Sequence, residues 1–297
     1  MKHRKLSKLG YWYRVYQMLR RANRAYTPEG DMRKKPFPTV IQLQTINACQ
    51  AACKMCPYPV FKDVFPRGRM DDKLFDKITD EIARYPEVET FVPMLQNEPL
   101  LDSRLFERIE QFRKKTAGRV RVELVTNGAL LSEEHVRKLR TAELDVLDIS
   151  LDAFSREVFE KIRIGLDYDQ VLAGVERVIA ADLPHTTVFI RLVRQADNAG
   201  EVRAFAGRWR ERGVPVFIFD VTNRVGSVKD FADQVRLRQA QDSFVRKLGR
   251  RASRAWLHHC PLPFSTANIL HNGDVLICVQ DWARTEILGN VRDASLA

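Results

Sequence analysis

Residues 39–59 read TVIQLQTINACQAACKMCPYP. The first seven are apolar and β-branched-rich, the composition of a strand buried in a sheet. A loop follows that carries Cys49, Cys53 and Cys56 within eight residues, with Pro57 and Pro59 directly behind. Comparable apolar runs recur at 90–95 (TFVPML), 119–126 (RVRVELVT), 146–151 (VLDISL), 186–193 (TTVFIRLV) and 214–221 (VPVFIFDV). Helix-period segments lie between them. Phe75, Ile78, Ile82 and Tyr85 share one face of 73–85, and Val171, Leu172, Val175, Val178 and Ile179 share one face of 169–181. Ser132 before Glu133 and Glu134 has the form of a helix N-cap with acids in the first turn. Strands alternating with helices imply βα units on a parallel sheet. Six units over about 185 residues predict an α/β fold, a partial (β/α)6 TIM-like barrel, with its chemistry at the C-terminal ends of the strands. The cysteine loop falls there. So do Gln96–Pro99 after the second strand, Thr126–Gly128 after the third and Ser150–Asp152 at the end of the fourth.

The chain has 297 residues, enough for a large core, and its composition is that of a globular protein. It contains no run of about 18 apolar residues and no N-terminal secretion signal, which predicts a cytoplasmic protein. In that compartment clustered cysteines hold metal or do redox chemistry more often than they form disulfides. The net charge is +11, but residues 1–35 carry eleven Lys and Arg against Glu29 and Asp31. The body is therefore nearly neutral, and a nucleic-acid partner is not expected of it. We divide the chain into a basic arm (1–37), a barrel (38–223), a bridging helix (224–259, helical at about 229–249) and a C-terminal segment (260–297). In the last, TANIL and DVLIC flank Asn272-Gly273, a β-hairpin signal, and a short hairpin joins Cys260 to Cys278.

Cys-x3-Cys-x2-Cys supplies three thiolates from one loop, which leaves one iron of a 4Fe–4S cubane without a protein ligand and open to a small molecule. The prolines end the loop rigidly. The number, spacing and position of these cysteines resemble those of the radical S-adenosylmethionine (SAM) superfamily. Gln96-Asn97-Glu98-Pro99 is similar to its Gly-Gly-Glu-Pro motif, with both glycines replaced and the acceptor Glu98 kept. Thr126-Asn127-Gly128 and Ser150-x-Asp152 are similar to elements near the ribose and methionine of SAM. Arg163 is placed like an arginine that pairs with the SAM carboxylate. Met55 stands where the family usually has an aromatic residue. The resemblance implies a 4Fe–4S cluster on Cys49, Cys53 and Cys56. It also implies SAM held by Glu98, Asn97, Asn127, Ser150, Asp152 and Arg163, a 5′-deoxyadenosyl radical, and an external electron donor such as flavodoxin or ferredoxin.

Cys260, Gly273 and Cys278, with Leu288–Asn290, resemble the start of a SPASM or twitch domain, whose cysteines ligate a second 4Fe–4S cluster. No cysteine follows Cys278, so the expectation is an incomplete or truncated auxiliary site; His258, His259 and Asp281 are weaker substitute ligands. The expected outcome is an oxidative modification of a sugar-like small molecule or a peptide. The same residues also admit a non-catalytic Fe–S or zinc protein that binds nucleic acid or an acidic partner through its arm. Leu6, Leu9, Tyr13 and Tyr16 share one face of that arm, with Trp12 nearby. Packing on the barrel is the preferred reading of this face, and contact with an anionic membrane surface is the other.

Overall fold

The six apolar runs form six strands: β1 (Val40–Leu43), β2 (Thr90–Val92), β3 (Arg121–Thr126), β4 (Val146–Ser150), β5 (Thr187–Arg194) and β6 (Val216–Asp220). The computed structural model describes residues 37–181, 183–224, 226, 228 and 262–296. Residues 1–36 of the basic arm, the expected helix at 229–249, His258, His259 and Cys260 lie outside these residues. Each strand pairs in parallel with the next, giving the order β6-β5-β4-β3-β2-β1 of a partial barrel. Parallel neighbours require crossovers, and helices supply them. These are α1 (Tyr58–Phe61) and α2 (Asp72–Arg84) after β1, α3 (Leu105–Lys115) after β2, α4 (Glu133–Thr141) after β3, α5 (Arg156–Ile162) and α6 (Tyr168–Ala180) after β4, and α7 (Val202–Glu211) after β5.

The helices begin where polar caps dictate. Asp71 accepts from Leu74 N at 2.9 Å, Ser132 from His135 N at 3.3 Å and Asp167 from Gln170 N at 2.7 Å. Each such cap stabilises its helix by about 1 kcal/mol. The expected faces are the buried ones: Phe75, Ile78 and Ile82 of α2, and Val171, Val175 and Val178 of α6. Alternation along the strands gives the sheet two faces. Val122, Leu124, Leu147, Ile149, Ile190 and Leu192 are wholly buried in one core with Phe112, Leu139, Val175, Phe205 and Trp209 of the helices. The intervening residues, among them Asp148, Ser150 and Arg191, face the concave side.

The C-terminal segment continues the same sheet. A short helix, α8 (Leu262–Ser265), leads into β7 (Thr266–Ile269), which pairs in parallel with β1; β8 (Asp274–Leu276) and β9 (Ile287–Asn290) then add antiparallel. The hairpin expected at Asn272-Gly273 is present. Gly273 N donates to Leu270 O at 3.0 Å, and Gly273 has φ 98°, the left-handed region open to glycine. The pairing of β7 with β1 and the third strand β9 had no counterpart in the sequence reading. Among the described residues no helix is long and apolar enough to cross a membrane.

Candidate functional site

The cysteine loop belongs to a long excursion between β1 and α2, and its base is closed tightly. Met70 N donates to Thr45 O at 2.9 Å and Asn47 N to Gly68 O at 2.7 Å. Arg108, 2 % exposed, reaches both sides of the closure, donating to Thr45 O (3.4 Å) and to Met70 O, and pairs with buried Asp102 at 2.9 Å. A buried cation whose two terminal nitrogens are both bonded to acceptors holds its surroundings rigidly. The far side of the loop lies along the end of α5, where Ala52 N donates to Ile164 O and Lys54 N to Ile162 O, each at 2.8 Å. The three cysteines therefore sit at the C-terminal mouth of the sheet, held from both sides.

Each thiol meets its own polar neighbour. Asn127 Nδ2 lies 4.0 Å from Cys49 Sγ. Arg163 Nη1 donates to Cys53 Sγ at 3.5 Å. Arg224, just beyond β6, lies within electrostatic reach of Cys56 and of Cys278. The thiols also feel one another. Burial above all pushes the Cys49 thiol up to about 12, with Glu98 and the other two cysteines adding to the rise. Burial, then Cys53, pushes Cys56 up to about 11. Three mutually close soft donors, each beside an N–H group, suit an iron–sulfur cluster, which must displace these thiol protons to bind. A cubane presents its irons at separate corners. It does not require what a single ion would, three His, Cys, Asp or Glu side chains converging on one point, and no such convergence exists among the described residues.

Glu98 is the junction of three strand ends. It is 2 % exposed, and its backbone N donates to Ala48 O at 2.9 Å, next to Cys49. Oε1 accepts from Thr126 Oγ1 (2.7 Å) and Leu100 N (3.1 Å), and Oε2 from Asn127 N (2.8 Å). Burial raises its carboxyl above the usual range against the opposing pull of these donors. Oε2 has accepted one bond and retains capacity for another. Gly128, at φ 81°, lets the chain turn at Asn127. Asn127 Oδ1 accepts from Gln50 Nε2 at 3.3 Å, a second tie to the cysteine loop.

Asp152 and Arg163 form the other half of the rim. Asp152, wholly buried with φ 65°, pairs with Arg163 Nη2 at 2.5 Å, while its Oδ1 accepts from Val193 N at 2.6 Å. Burial opposes the charge on Arg163, yet Asp152 and Cys53 hold its pKa above the ordinary arginine range. Asn198 Nδ2 donates to Asp152 O at 2.8 Å and steadies the pair. Ser150 is buried at the end of β4. Asn97 Oδ1 accepts from Leu95 N at 2.8 Å, and its Nδ2 is buried without a partner.

Gln96, at the place of a family glycine, has φ 58°, so it retains the left-handed backbone such a glycine would take. Its Nε2 donates to Val279 O and Asp281 O, each at 3.2 Å, tying the β2 loop to the segment that carries Cys278. Asp281 spends Oδ2 on Thr285 and Glu286 N. The structure thus gathers Cys49, Cys53, Cys56, Glu98, Asn127, Asp152 and Arg163 on one rim with Cys278 nearby. Gln50, Asn198 and Arg224 are additional members that the sequence reading passed over, and Gln96, read there only as a replaced glycine, joins them through its side chain. Arg224 had a usable signal, its place just after an expected strand; the other three reveal themselves only by their partners.

The model of the Radical SAM superfamily matches residues 43–206, more than half of the chain. Among curated relatives, the GTP 3′,8-cyclase of Limosilactobacillus fermentum is 27% identical over 177 residues, 59% of this chain and 52% of that protein. The AdoMet-dependent heme synthase of Methanosarcina barkeri is 29% identical over 170 residues, 56% of this chain and 47% of that protein. The chain thus spans about half the length of these relatives. Among solved structures, Streptococcus suis SuiB bound to S-adenosylmethionine superposes with a TM-score of 0.68 at 15% identity, covering 95% of this chain and 70% of SuiB. Another structure of SuiB holds the precursor peptide SuiA. With the strand order, the cysteine rim and a family match over most of the barrel in agreement, the chain belongs to the radical SAM superfamily.

Proposed function

We propose that this chain binds a 4Fe–4S cluster and SAM at the strand-end rim and modifies an organic substrate by hydrogen abstraction. When bound, the reduced cluster supplies the electron that cleaves SAM to methionine and a 5′-deoxyadenosyl radical, and the radical takes a hydrogen atom from the substrate. The observation that carries this reading is the convergence on Glu98: one buried residue whose backbone N–H is bonded to the loop of Cys49 and whose carboxylate is bonded to the end of β3. Cys49, Cys53 and Cys56 hold the cluster. Glu98 Oε2 offers its remaining acceptor site to the SAM amino group. Asn127, Ser150 and Asn97 offer polar groups to the rest of SAM. Arg163 supplies the cation for its carboxylate, and Asp152 holds that cation in place. The buried barrel floor keeps water from the reacting groups.

Cys278 beside Arg224 supports a further role for the C-terminal segment: with Cys260 it contributes to a second cluster of SPASM or twitch type, which favours an oxidative outcome. The substrate is a small molecule or a peptide, as the names of the cyclase relative and of the SuiB complex suggest. A reduced flavodoxin or ferredoxin donates the electron in the cytoplasm. The test is anaerobic. The reconstituted protein is given dithionite and SAM, and 5′-deoxyadenosine is quantified beside the variant in which Cys49, Cys53 and Cys56 are all alanine. Product from the wild type alone is expected. Equal product from both, or none from a wild type with full iron content, refutes the proposal.

A further inference from the structure

Between β1 and α2 the chain leaves the sheet, carries the three cysteines and forms only α1 as a helix. Ordering a loop of this length costs entropy, so the contacts along it decide whether three thiolates keep one arrangement. Arg108 and α5 hold two of its sides. The C-terminal segment holds a third. Gln44, wholly buried at the root of the loop, accepts at Oε1 from His271 Nδ1 (3.0 Å) and His271 N (3.3 Å) in the turn between β7 and β8. Its Nε2 donates to Leu95 O at 2.9 Å and to Asn47 Oδ1 at 3.4 Å. A carbonyl can only accept, so Leu95 fixes the orientation of the Gln44 amide, and Gln44 Oε1 then places the His271 proton on Nδ1. Asn47 stands two residues before Cys49, and its Nδ2 donates to Pro66 O at 2.8 Å, beyond Cys56. The His271 ring also lies directly on Gly68, where a Cβ would stand 2.7 Å from Nε2. One chain of contacts therefore runs from the C-terminal hairpin to both sides of the cysteines.

A second contact meets the loop farther along. The Arg284 guanidinium lies 3.9 Å over the ring of Phe65, which stacks in turn on Phe61 of α1 at 6.1 Å. Arg284 takes φ 54°, a backbone that a non-glycine residue keeps only where its surroundings hold it. Arg292 pairs with Asp71, the cap of α2, where the loop ends. We infer that His271 and Arg284 are positioning residues for the site on Cys49, Cys53 and Cys56: the C-terminal strands set the cysteine loop against Glu98 and keep its thiolates in register. This role is exerted by contact and requires no metal in the C-terminal segment itself. It rests on the cluster-and-SAM reading above and gives the C-terminal strands a part in that same site.

The test uses the full chain, anaerobically reconstituted, as wild type, His271→Ala, His271→Asn, Gly68→Ala, the Gly68→Ala/His271→Ala double variant and Arg284→Met. Two readouts are taken: the rate at which bathophenanthroline disulfonate strips iron, and the electron paramagnetic resonance spectrum of the dithionite-reduced protein before and after SAM is added. Far-UV circular dichroism and urea midpoints report folding and global stability. His271→Ala and Gly68→Ala should each release iron about tenfold faster, the size that loss of one buried hydrogen bond implies, with an altered spectrum. His271→Asn keeps a donor at the place of Nδ1 and should restore most of the retention. The double variant should be no worse than His271→Ala, because the added methyl group then occupies the space of the ring. Unchanged iron release in His271→Ala overturns the inference, as do strictly additive effects in the double variant. A lowered urea midpoint with an unaltered spectrum overturns it too, since that is a structural role alone. Should His271→Ala fail to fold, Arg284→Met, which changes a half-buried side chain, decides by the same two readouts. A wild type that binds no iron, or gives no signal on reduction, removes the underlying reading instead.

Discussion

Replacing Arg163 by methionine isolates the interaction on which the rim depends most. Arg163 and Asp152 are 7 % and 0 % exposed, and they meet at 2.5 Å in a site closed to water. Removing the cation leaves the Asp152 carboxylate with its Val193 N–H and little else to offset burial. Breaking one side of such a pair costs about 3 to 5 kcal/mol, well above the 0 to 1 kcal/mol of an exposed pair. Arg163→Met should therefore lose about 3 to 5 kcal/mol in urea unfolding followed by tryptophan fluorescence. Asp152→Asn should lose a similar amount, since it strands the guanidinium while asparagine still tolerates the left-handed backbone. The double variant should be less destabilised than the sum of the singles by about 1 kcal/mol or more, because the charges disappear together. Cys53 loses its N–H neighbour in the same change, so iron bound per chain should fall with Arg163→Met. A loss below about 1 kcal/mol in Arg163→Met, or strict additivity in the cycle, would refute the view that this buried pair organises the loop.

Other expectations concern single groups. Burial pushes Asp148 up to about 6 from an ordinary 3.8, so the folded state binds its proton more tightly than the unfolded chain does. Its contribution to stability falls by about 3 kcal/mol as pH rises from about 4 to about 6 and is level above that, a slope that Asp148→Asn should remove from a urea-midpoint profile. Glu98→Gln puts an amide N–H against either Asn127 N–H or Leu100 N–H, so one bond cannot form. It should cost about 1 to 3 kcal/mol in urea unfolding and weaken SAM binding measured by equilibrium dialysis. Gln96→Ala and Gln96→Gly both lose the ties to Val279 and Asp281, but glycine accepts φ 58° without strain. The glycine variant should be the more stable of the two by about 1 kcal/mol in thermal unfolding, and equal stabilities would contradict a strained Gln96.

Much of this protein was legible before any coordinate. The positions of β1 to β6, the buried faces of α2 and α6 and the Ser132 cap follow from periodicity and local hydrogen bonding, which the sequence writes in adjacent residues. The placement of the cysteines, Glu98, Asn127 and Asp152 at strand ends follows from the same pattern, because parallel βα units direct every such end to one rim. Other features had no sequence signature, since they arise between residues far apart in the chain. Arg108 closing the loop base, Gln96 tying two loops, Asn198 supporting Asp152 and the addition of β7 to β1 are of this kind. A polar residue inside an apolar strand, as at Asp148, shows in the sequence only as an exception. Residue order determines which backbone elements form and which end of each carries chemistry. Which side chains then meet across those ends, and which charges are left uncompensated, is decided by tertiary packing, because burial and partner geometry set the energy of a polar group and neither is a local property.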